Sequence, residues 1–246
     1  MNSTSVSRIR LWEHMPAGIP FVRLFLALLV IDALLILAYV GQVALNIPSG
    51  KLTELVDLDG ESSLCMWFSS MQLYSSGVLV GLVFWHRASR DRSEAAVLGL
   101  LGLFLLAMSV DEAIQLHEWV GWRSDALLEE GSREGTMWSV TGIWMFVIGI
   151  PAVAFAAWLL YRSRGLMPAP VLTWFAAGMA VLFAGALGAE AFANLTIKRA
   201  PGELPSTLAG TLQASVEEGL EMLGGNLLLG ASLALFLHER LPARNR

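Results

Sequence analysis

A short stretch in the middle of the chain, SVDEAIQLHEWVGW, contains the side chains best suited to chemistry. It places Asp111, Glu112, His117 and Glu118 directly after an apolar run, residues 95–108, that carries no charge. Ionisable groups next to such a run cost free energy in a membrane unless they have partners. The stretch therefore predicts a site in which carboxylates and an imidazole bind a cation or carry protons.

Two later stretches supply acids at helical spacing. Asn194 follows Glu190 by four residues, and Glu221 follows Glu217 by four. Side chains three or four residues apart share one face of a helix, so each stretch presents one polar stripe. The candidate metal ligands are Asp111, Glu112, His117, Glu118, Glu190, Glu217, Glu218 and Glu221.

The position of His117 relative to the other polar residues of the central stretch is less regular. Asp111, Gln115 and Glu118 are spaced by four and three residues and share one face of a continuous helix. His117 falls about 120° from Asp111 at about 100° per residue. Two roles therefore stay open for His117, as a ligand or as a proton carrier.

The composition identifies the elements that must position these side chains. The chain has 246 residues, 55% hydrophobic and 15% charged, with a mean hydropathy of +0.60, whereas soluble domains carry about 25% charged residues. Helices that cross about 30 Å of hydrocarbon are predicted at residues 22–46, 63–85, 95–119, 137–161, 171–195 and 211–237. We therefore predict an all-α polytopic membrane protein, a single six-helix transmembrane domain over 1–246 with an N-terminal arm (1–21) and a C-terminal tail (238–246).

The distribution of basic residues predicts the orientation of this bundle. Six spans place both termini on one side, and eleven of the sixteen Lys and Arg residues lie there. Because Lys and Arg are enriched in cytoplasmic loops, both termini are predicted to be cytoplasmic. The compact plan with short loops is typical of a bacterial inner membrane, so the other side would be the periplasm.

This topology brings the three acidic stretches to one level. The third and fifth predicted helices run outward and end with acids, and the sixth runs inward and begins with them. We therefore expect the stretches to converge in the extracytoplasmic leaflet. Carboxylates this close together cannot all be ionised without a cation, so either protons or a metal ion must balance their charge.

The ligand types narrow the choice of cation. Carboxylates and an imidazole on facing helices are the ligand set of di-iron and di-manganese bundle proteins. Those sites normally use two Glu-x-x-His motifs, and this sequence has none. A binuclear site and a single ion therefore both stay open, with iron, manganese or zinc as the metal.

Three features outside the acidic stretches also predict structure. Asp32, halfway along the first predicted helix, is interpreted either as a functional group or as a hydrogen-bonding partner of a neighbouring helix. Pro151 predicts a kink in the fourth helix. Small residues spaced four apart on the fifth helix predict close approach of another helix, with the glycine-containing sixth helix as the candidate partner. This predicted small-residue ridge comprises Ala176, Ala180, Ala184 and Gly188.

The pairing of SVDEAIQLHE with EEGLEMLGG resembles a widespread group of uncharacterised bacterial multi-span membrane proteins. Members of that group carry a DExxQxHE stretch and an EExLEMLG stretch. The resemblance implies that the two stretches act as one site. It implies no particular activity.

Three functional hypotheses follow from the sequence. The first is a metal-dependent oxidoreductase or hydrolase acting on a lipid-like or periplasmic substrate. The second is a proton- or cation-coupled transporter or channel, although apart from Asp32 the inner halves of the helices carry few acids. The third is a structural or assembly subunit of a larger membrane complex, or a homo-oligomer. Membrane lipids are expected to surround the chain, and no long basic stretch predicts nucleic-acid binding.

Overall fold

The structure, a computed structural model, describes residues 21–240 except for 49, 59, 61–62, 90, 126–135, 137–142 and 197–207. The predicted terminal arm and tail therefore lie almost wholly outside the described residues. The helices are α1 (Phe21–Ala44), α2 (Lys51–Leu55), α3 (Leu64–Ala88), α4 (Arg92–Ile114), α5 (Leu116–Asp125), α6 (Ile150–Arg162), α7 (Ala169–Phe183), α8 (Glu190–Thr196) and α9 (Leu208–Arg240). Two π-helical segments, Met145–Gly149 and Ala184–Ala189, lead directly into α6 and α8.

The prediction of an all-α, six-span protein is confirmed. Six described stretches are long and apolar enough to cross a membrane: Arg23–Ala44, Leu64–Ala88, Ala95–Ile114, Met145–Arg162, Ala169–Leu195 and Gly210–Arg240. Each overlaps a predicted span. The third predicted span was wrong beyond Ile114, because the helix breaks at Gln115 instead of continuing to residue 119.

The long helix α9 forms the centre of the bundle. It packs against α1, α3, α7 and the π-helical segment Ala184–Ala189, while α4 packs along α3. Leu98 and Leu105 of α4, Phe175 of α7 and Leu228 of α9 are fully buried in the main apolar core. The outer faces of the helices stay apolar: Leu34 and Leu37 of α1 are more than half exposed. Lipid is the solvent that such a surface requires.

We call the end of the bundle where α4 ends and α9 begins the acidic end. A small apolar cluster lies there, built by Tyr39, Leu58, Cys65, Ala214 and Met222. At the opposite end Arg87 of α3 forms an ion pair with Glu239 of α9 and donates a hydrogen bond to the Leu166 carbonyl oxygen at 2.6 Å. Apolar packing therefore stabilises the α3–α9 contact at the acidic end, and an ion pair stabilises it at the opposite end.

The predicted small-residue ridge was wrong about which face of the fifth span packs. Ala176, Ala180, Ala184 and Gly188 are all exposed. A Cβ atom added to Gly188 would meet no atom within 4 Å, whereas one added to Gly224 of α9 would lie 2.7 Å from the backbone nitrogen of Leu182. The sixth span is the partner as predicted, but it packs against the neighbouring face, which carries Leu182.

The two π-helical segments have different settings. One precedes a proline, and the other leads into the acidic end. Met145–Gly149 ends two residues before Pro151, whose ring removes a backbone donor. The irregularity predicted from Pro151 is thus a widened turn on its N-terminal side. Ala184–Ala189 ends immediately before Glu190 and so sets the direction in which that side chain leaves the helix.

Candidate functional site

The central feature of the acidic end is a helix break inside the stretch SVDEAIQLHEWVGW. Gln115 has a φ of 51°, in the left-handed region that residues other than glycine rarely adopt. Its backbone nitrogen still donates to the Asp111 carbonyl oxygen at 2.7 Å, and its own carbonyl oxygen accepts from the Trp119 nitrogen at 3.0 Å. One residue therefore ends α4 and begins α5 without leaving these backbone groups unpaired.

The break turns His117 back onto Asp111. The Oδ1 atom of Asp111 accepts a hydrogen bond from the His117 backbone nitrogen at 3.1 Å, and Oδ2 lies 2.8 Å from His117 Nδ1. The carboxylate therefore caps the first turn of α5 and pairs with the imidazole at the same time. The expected 120° separation of these side chains assumed a continuous helix and was wrong.

The surroundings of His117 favour its charged form. Burial disfavours the imidazolium, but the hydrogen bond from the ring to Asp111 and the nearby charges of Asp111, Glu118 and Glu112 outweigh it. The pKa of His117 is therefore raised above its ordinary value of 6.5. Trp144, itself buried, covers the imidazole with its ring centroid 4.7 Å from that of His117.

The other sequence-predicted stripes form local hydrogen bonds. Gln115 Nε2 donates to Glu118 Oε1 at 3.0 Å, and Gln213 Nε2 donates to Glu217 Oε2 at 2.6 Å. Each glutamine thus orients the carboxylate that follows it. Asn194 differs, because its Nδ2 donates to the backbone carbonyl oxygen of Glu190 at 3.0 Å.

Electrostatic interactions link the three acidic stretches across the bundle. Glu221 of α9 interacts with Glu112 of α4 and with Glu190 of α8, besides Glu217 and Glu218 on its own helix. Gly185 permits this approach, because a Cβ atom there would lie 2.8 Å from Glu221 Cγ.

Glu112 extends the same set of contacts to the helix break. It interacts electrostatically with Asp111, His117 and Glu118. All eight predicted site residues therefore interact with Glu112 or Glu221, which interact with each other.

The donor types of this set suit a divalent cation, since carboxylate oxygens and imidazole nitrogens bind zinc, manganese and iron. Within the described ranges, however, no three His, Cys, Asp or Glu side chains form a group that could hold a metal ion. The acidic residues are instead joined by local hydrogen bonds and by longer electrostatic interactions.

A second polar cluster was missed by the sequence reasoning. Asn226 of α9 donates from Nδ2 to Asp32 Oδ2 at 2.5 Å and accepts at Oδ1 from Gln72 Nε2 of α3 at 3.0 Å. Asp32 therefore does bond to a neighbouring helix, one of the two interpretations of its sequence position. The available signal was Asn226 itself, a polar residue inside an apolar span and directly after two glycines.

Reciprocal hydrogen bonds between two serines join α3 and α4. Ser70 Oγ donates to the Ser109 carbonyl oxygen at 2.9 Å, and Ser109 Oγ donates to the Ser70 carbonyl oxygen at 2.8 Å. Hydroxyl groups commonly bond across helices in membrane proteins, and this pair does so. The bonds fix the third span close to the point where it breaks.

Comparison with known proteins places the chain in a family. Residues 23–239 match the family described as Domain of unknown function (DUF8692). No curated protein matches the chain, and no solved structure matches it either. Because the match covers most of the sequence, the chain belongs to this family.

Proposed function

We propose that this member of the DUF8692 family binds a divalent metal ion at its acidic end. The observation that carries the proposal is the interaction of Glu221 with acids from two other spans, Glu112 and Glu190. Acids so placed repel one another, and the repulsion is relieved when a cation lies between them. The described neighbours of Glu112 and Glu221 include one group that can carry a positive charge, His117.

Two sets of residues would hold the ion. Asp111, Glu112, His117 and Glu118 lie at the junction of α4 and α5, and the remaining ligands come from α8 and α9. No three of these side chains are grouped at metal-binding geometry among the described residues, so the carboxylates of Glu112 and Glu221 would have to move toward a common ion to hold it. An iron or manganese ion would supply redox chemistry there, and a zinc ion would supply Lewis-acid chemistry.

The strained helix break supports a binding role over a purely structural one. A left-handed glutamine costs about 1–2 kcal/mol relative to a regular conformation, and strain of this kind is concentrated at functional sites. Here the strain places the Asp111 and His117 side chains in contact. With the predicted orientation in a bacterial inner membrane, the site would face the periplasm.

Elemental analysis tests the proposal. The full chain is purified in detergent without chelator, beside a variant in which Glu118→Gln and Glu221→Gln are combined. We expect stoichiometric iron, manganese or zinc in the unmodified chain and its loss in the double variant. Glu54→Gln is the matched control, because Glu54 is an exposed acid of α2. Equal metal contents in all three chains, or only trace metal in the unmodified chain, would refute the proposal.

A second candidate function, cation-coupled transport, is favoured by the polar cluster of Asp32, Asn226 and Gln72. This cluster places hydrogen-bonding groups deeper in the bundle than the acidic end, on three spans. A relay needs such groups between the two sides of the membrane. Proteoliposomes containing the chain should then show cation flux that Asp32→Asn abolishes, whereas a resident metal site alone predicts no flux.

A further inference from the structure

The middle of the bundle contains a buried polar contact between three helices. Asp32 of α1 is 6% exposed, Gln72 of α3 is 3% exposed and Asn226 of α9 is fully buried. The Asn226 amide bonds to both of the other side chains, at 2.5 Å to Asp32 Oδ2 and at 3.0 Å to Gln72 Nε2. One amide thus holds three separate spans together.

The hydrogen bonding of this contact is incomplete in a specific way. The second carboxylate oxygen, Asp32 Oδ1, and the amide oxygen Gln72 Oε1 are buried and have no hydrogen-bond partner among the described residues. Both atoms are acceptors when the carboxyl group is ionised. A buried acceptor without a partner costs about 1–3 kcal/mol, so an additional group that attracts oxygen lone pairs would stabilise the contact.

Gly225 fixes the position of one of these oxygens. A Cβ atom at this position would lie 2.2 Å from Gln72 Oε1. Only glycine therefore lets the Gln72 amide adopt the orientation in which its nitrogen bonds Asn226 and its oxygen stays without a partner. Gly225 therefore sets where Gln72 Oε1 lies.

The charge of the contact selects the type of group. Asp32 is the one ionisable member, and its described interactions are burial and the hydrogen bond to Asn226, with no charged residue acting on it. A carboxyl group in a membrane interior is either protonated or balanced by a cation. A monovalent cation neutralises the contact, whereas a divalent ion would leave an excess positive charge. Carboxylate and amide oxygens are the ligands of hard cations.

We infer that Asp32, Gln72 and Asn226 form a binding site for a dehydrated alkali cation, for which sodium is the probe. Asp32 Oδ1 and Gln72 Oε1 supply the free oxygen ligands, and Asn226 holds the two groups in register. The site is separate from the acidic end, and its existence does not depend on the proposed metal site. It adds a bound monovalent ion at the contact of α1, α3 and α9.

Sodium-dependent stability tests the inference. The full chain in detergent is unfolded thermally in NaCl and in N-methylglucamine chloride at equal ionic strength. We expect a saturable rise in the unfolding temperature with Na⁺, and Asp32→Asn should weaken the apparent Na⁺ affinity by about tenfold or more. Ser232→Ala is the control, because it removes a different buried oxygen, on α9, that has no hydrogen-bond partner among the described residues. This variant should leave the Na⁺ dependence intact.

A direct binding measurement covers the case in which Asp32→Asn fails to fold. Radioactive ²²Na⁺ should bind the unmodified chain saturably and be displaced by unlabelled Na⁺ but not by N-methylglucamine. No saturable binding, an unchanged Na⁺ response in Asp32→Asn, or a stability that responds to pH but not to Na⁺ would overturn the inference. Removing the proposed metal site with Glu221→Gln should leave Na⁺ binding unchanged, so the two proposals fail separately.

Discussion

The Nδ1 atom of His117 lies 2.8 Å from Oδ2 of Asp111, although a continuous helix would set these two side chains about 120° apart. The left-handed conformation of Gln115 closes that separation. Because the same carboxylate also accepts from the His117 backbone nitrogen, the pair is held at both the ring and the main chain. The acidic end thus contains a fixed carboxylate–imidazole pair in addition to the acids of α8 and α9.

The conformation of Gln115 predicts an unusual response to substitution. Gln115→Gly should give a more stable protein than Gln115→Ala, by about 1 kcal/mol, because glycine adopts a positive φ without steric cost. Both variants lose the bond to Glu118, so their difference isolates the backbone term. Unfolding in SDS measures the difference, and equal stabilities would show that the break carries no strain.

The raised pKa of His117 predicts how stability depends on pH. Since the folded pKa exceeds the ordinary value of 6.5, the imidazolium stabilises the fold fully below that value. This stabilisation is lost as pH rises through the folded pKa. Asp111→Asn should remove most of the effect, as measured by the free energy of unfolding between about pH 5 and 9. His238→Gln is the control, and a pH profile that Asp111→Asn leaves unchanged would argue against the pair.

The packing of α9 against the fifth span predicts different effects for two glycine substitutions. Gly224→Ala should destabilise the protein by about 1–3 kcal/mol, because its Cβ atom would lie 2.7 Å from the Leu182 backbone nitrogen. Gly188→Ala is matched in chemistry but meets open space, so it should be neutral or stabilise by up to about 1 kcal/mol. Comparable losses in both variants would mean that α9 does not pack as described.

The reciprocal serine bonds predict a measurable coupling between α3 and α4. Ser70→Ala and Ser109→Ala each remove one donor to the opposite backbone as well as the contact between the hydroxyl oxygens, at 3.1 Å. A double-mutant cycle should give a coupling free energy of about 0.6 kcal/mol, the average for such bonds in membranes. Ser75→Ala combined with Ser109→Ala is the control cycle and should give additive effects.

Much of the fold could be predicted from the sequence because a membrane span leaves a strong compositional signal. The long apolar runs around Val30, Leu105 and Val181 locate three of the spans without any knowledge of packing. The ends are harder to place, since the break at Gln115 depends on one backbone angle. The spacing of apolar residues does not indicate a left-handed residue at position 115. The residue there is also not glycine, the type that usually adopts this conformation.

Which residues pack together was less predictable than which residues are helical. Ala176 and Ala180 have the spacing of a helix-packing ridge, yet lipid is as apolar as another helix and lets such a face stay exposed. The choice of the face that carries Leu182 depends on the shape of α9 at Gly224. That information lies in another span and is absent from the local pattern.

The acids of the candidate site stand out in the sequence because charged residues are rare in membrane spans. The two amide residues, Asn226 and Gln72, do not stand out in the sequence because they bear no charge. Their role appears only in the fold, where Asn226 bonds to Asp32 and Gln72 bonds to Asn226 from a third helix. Trp144 was likewise missed as the cover of His117, because its sequence position suggests only an ordinary apolar residue.

The proposal that acids from separate spans bind one ion is tested most directly by titrating the metal-free chain with Mn²⁺. Electron paramagnetic resonance measures the free ion, and the unmodified chain is compared with Glu112→Gln, Glu221→Gln and the exposed-acid control Glu54→Gln. We expect saturable Mn²⁺ binding that either single site variant, on α4 or on α9, abolishes and that the control retains. Binding that survives both Glu112→Gln and Glu221→Gln, or that each variant removes only in part and additively, would contradict a shared site.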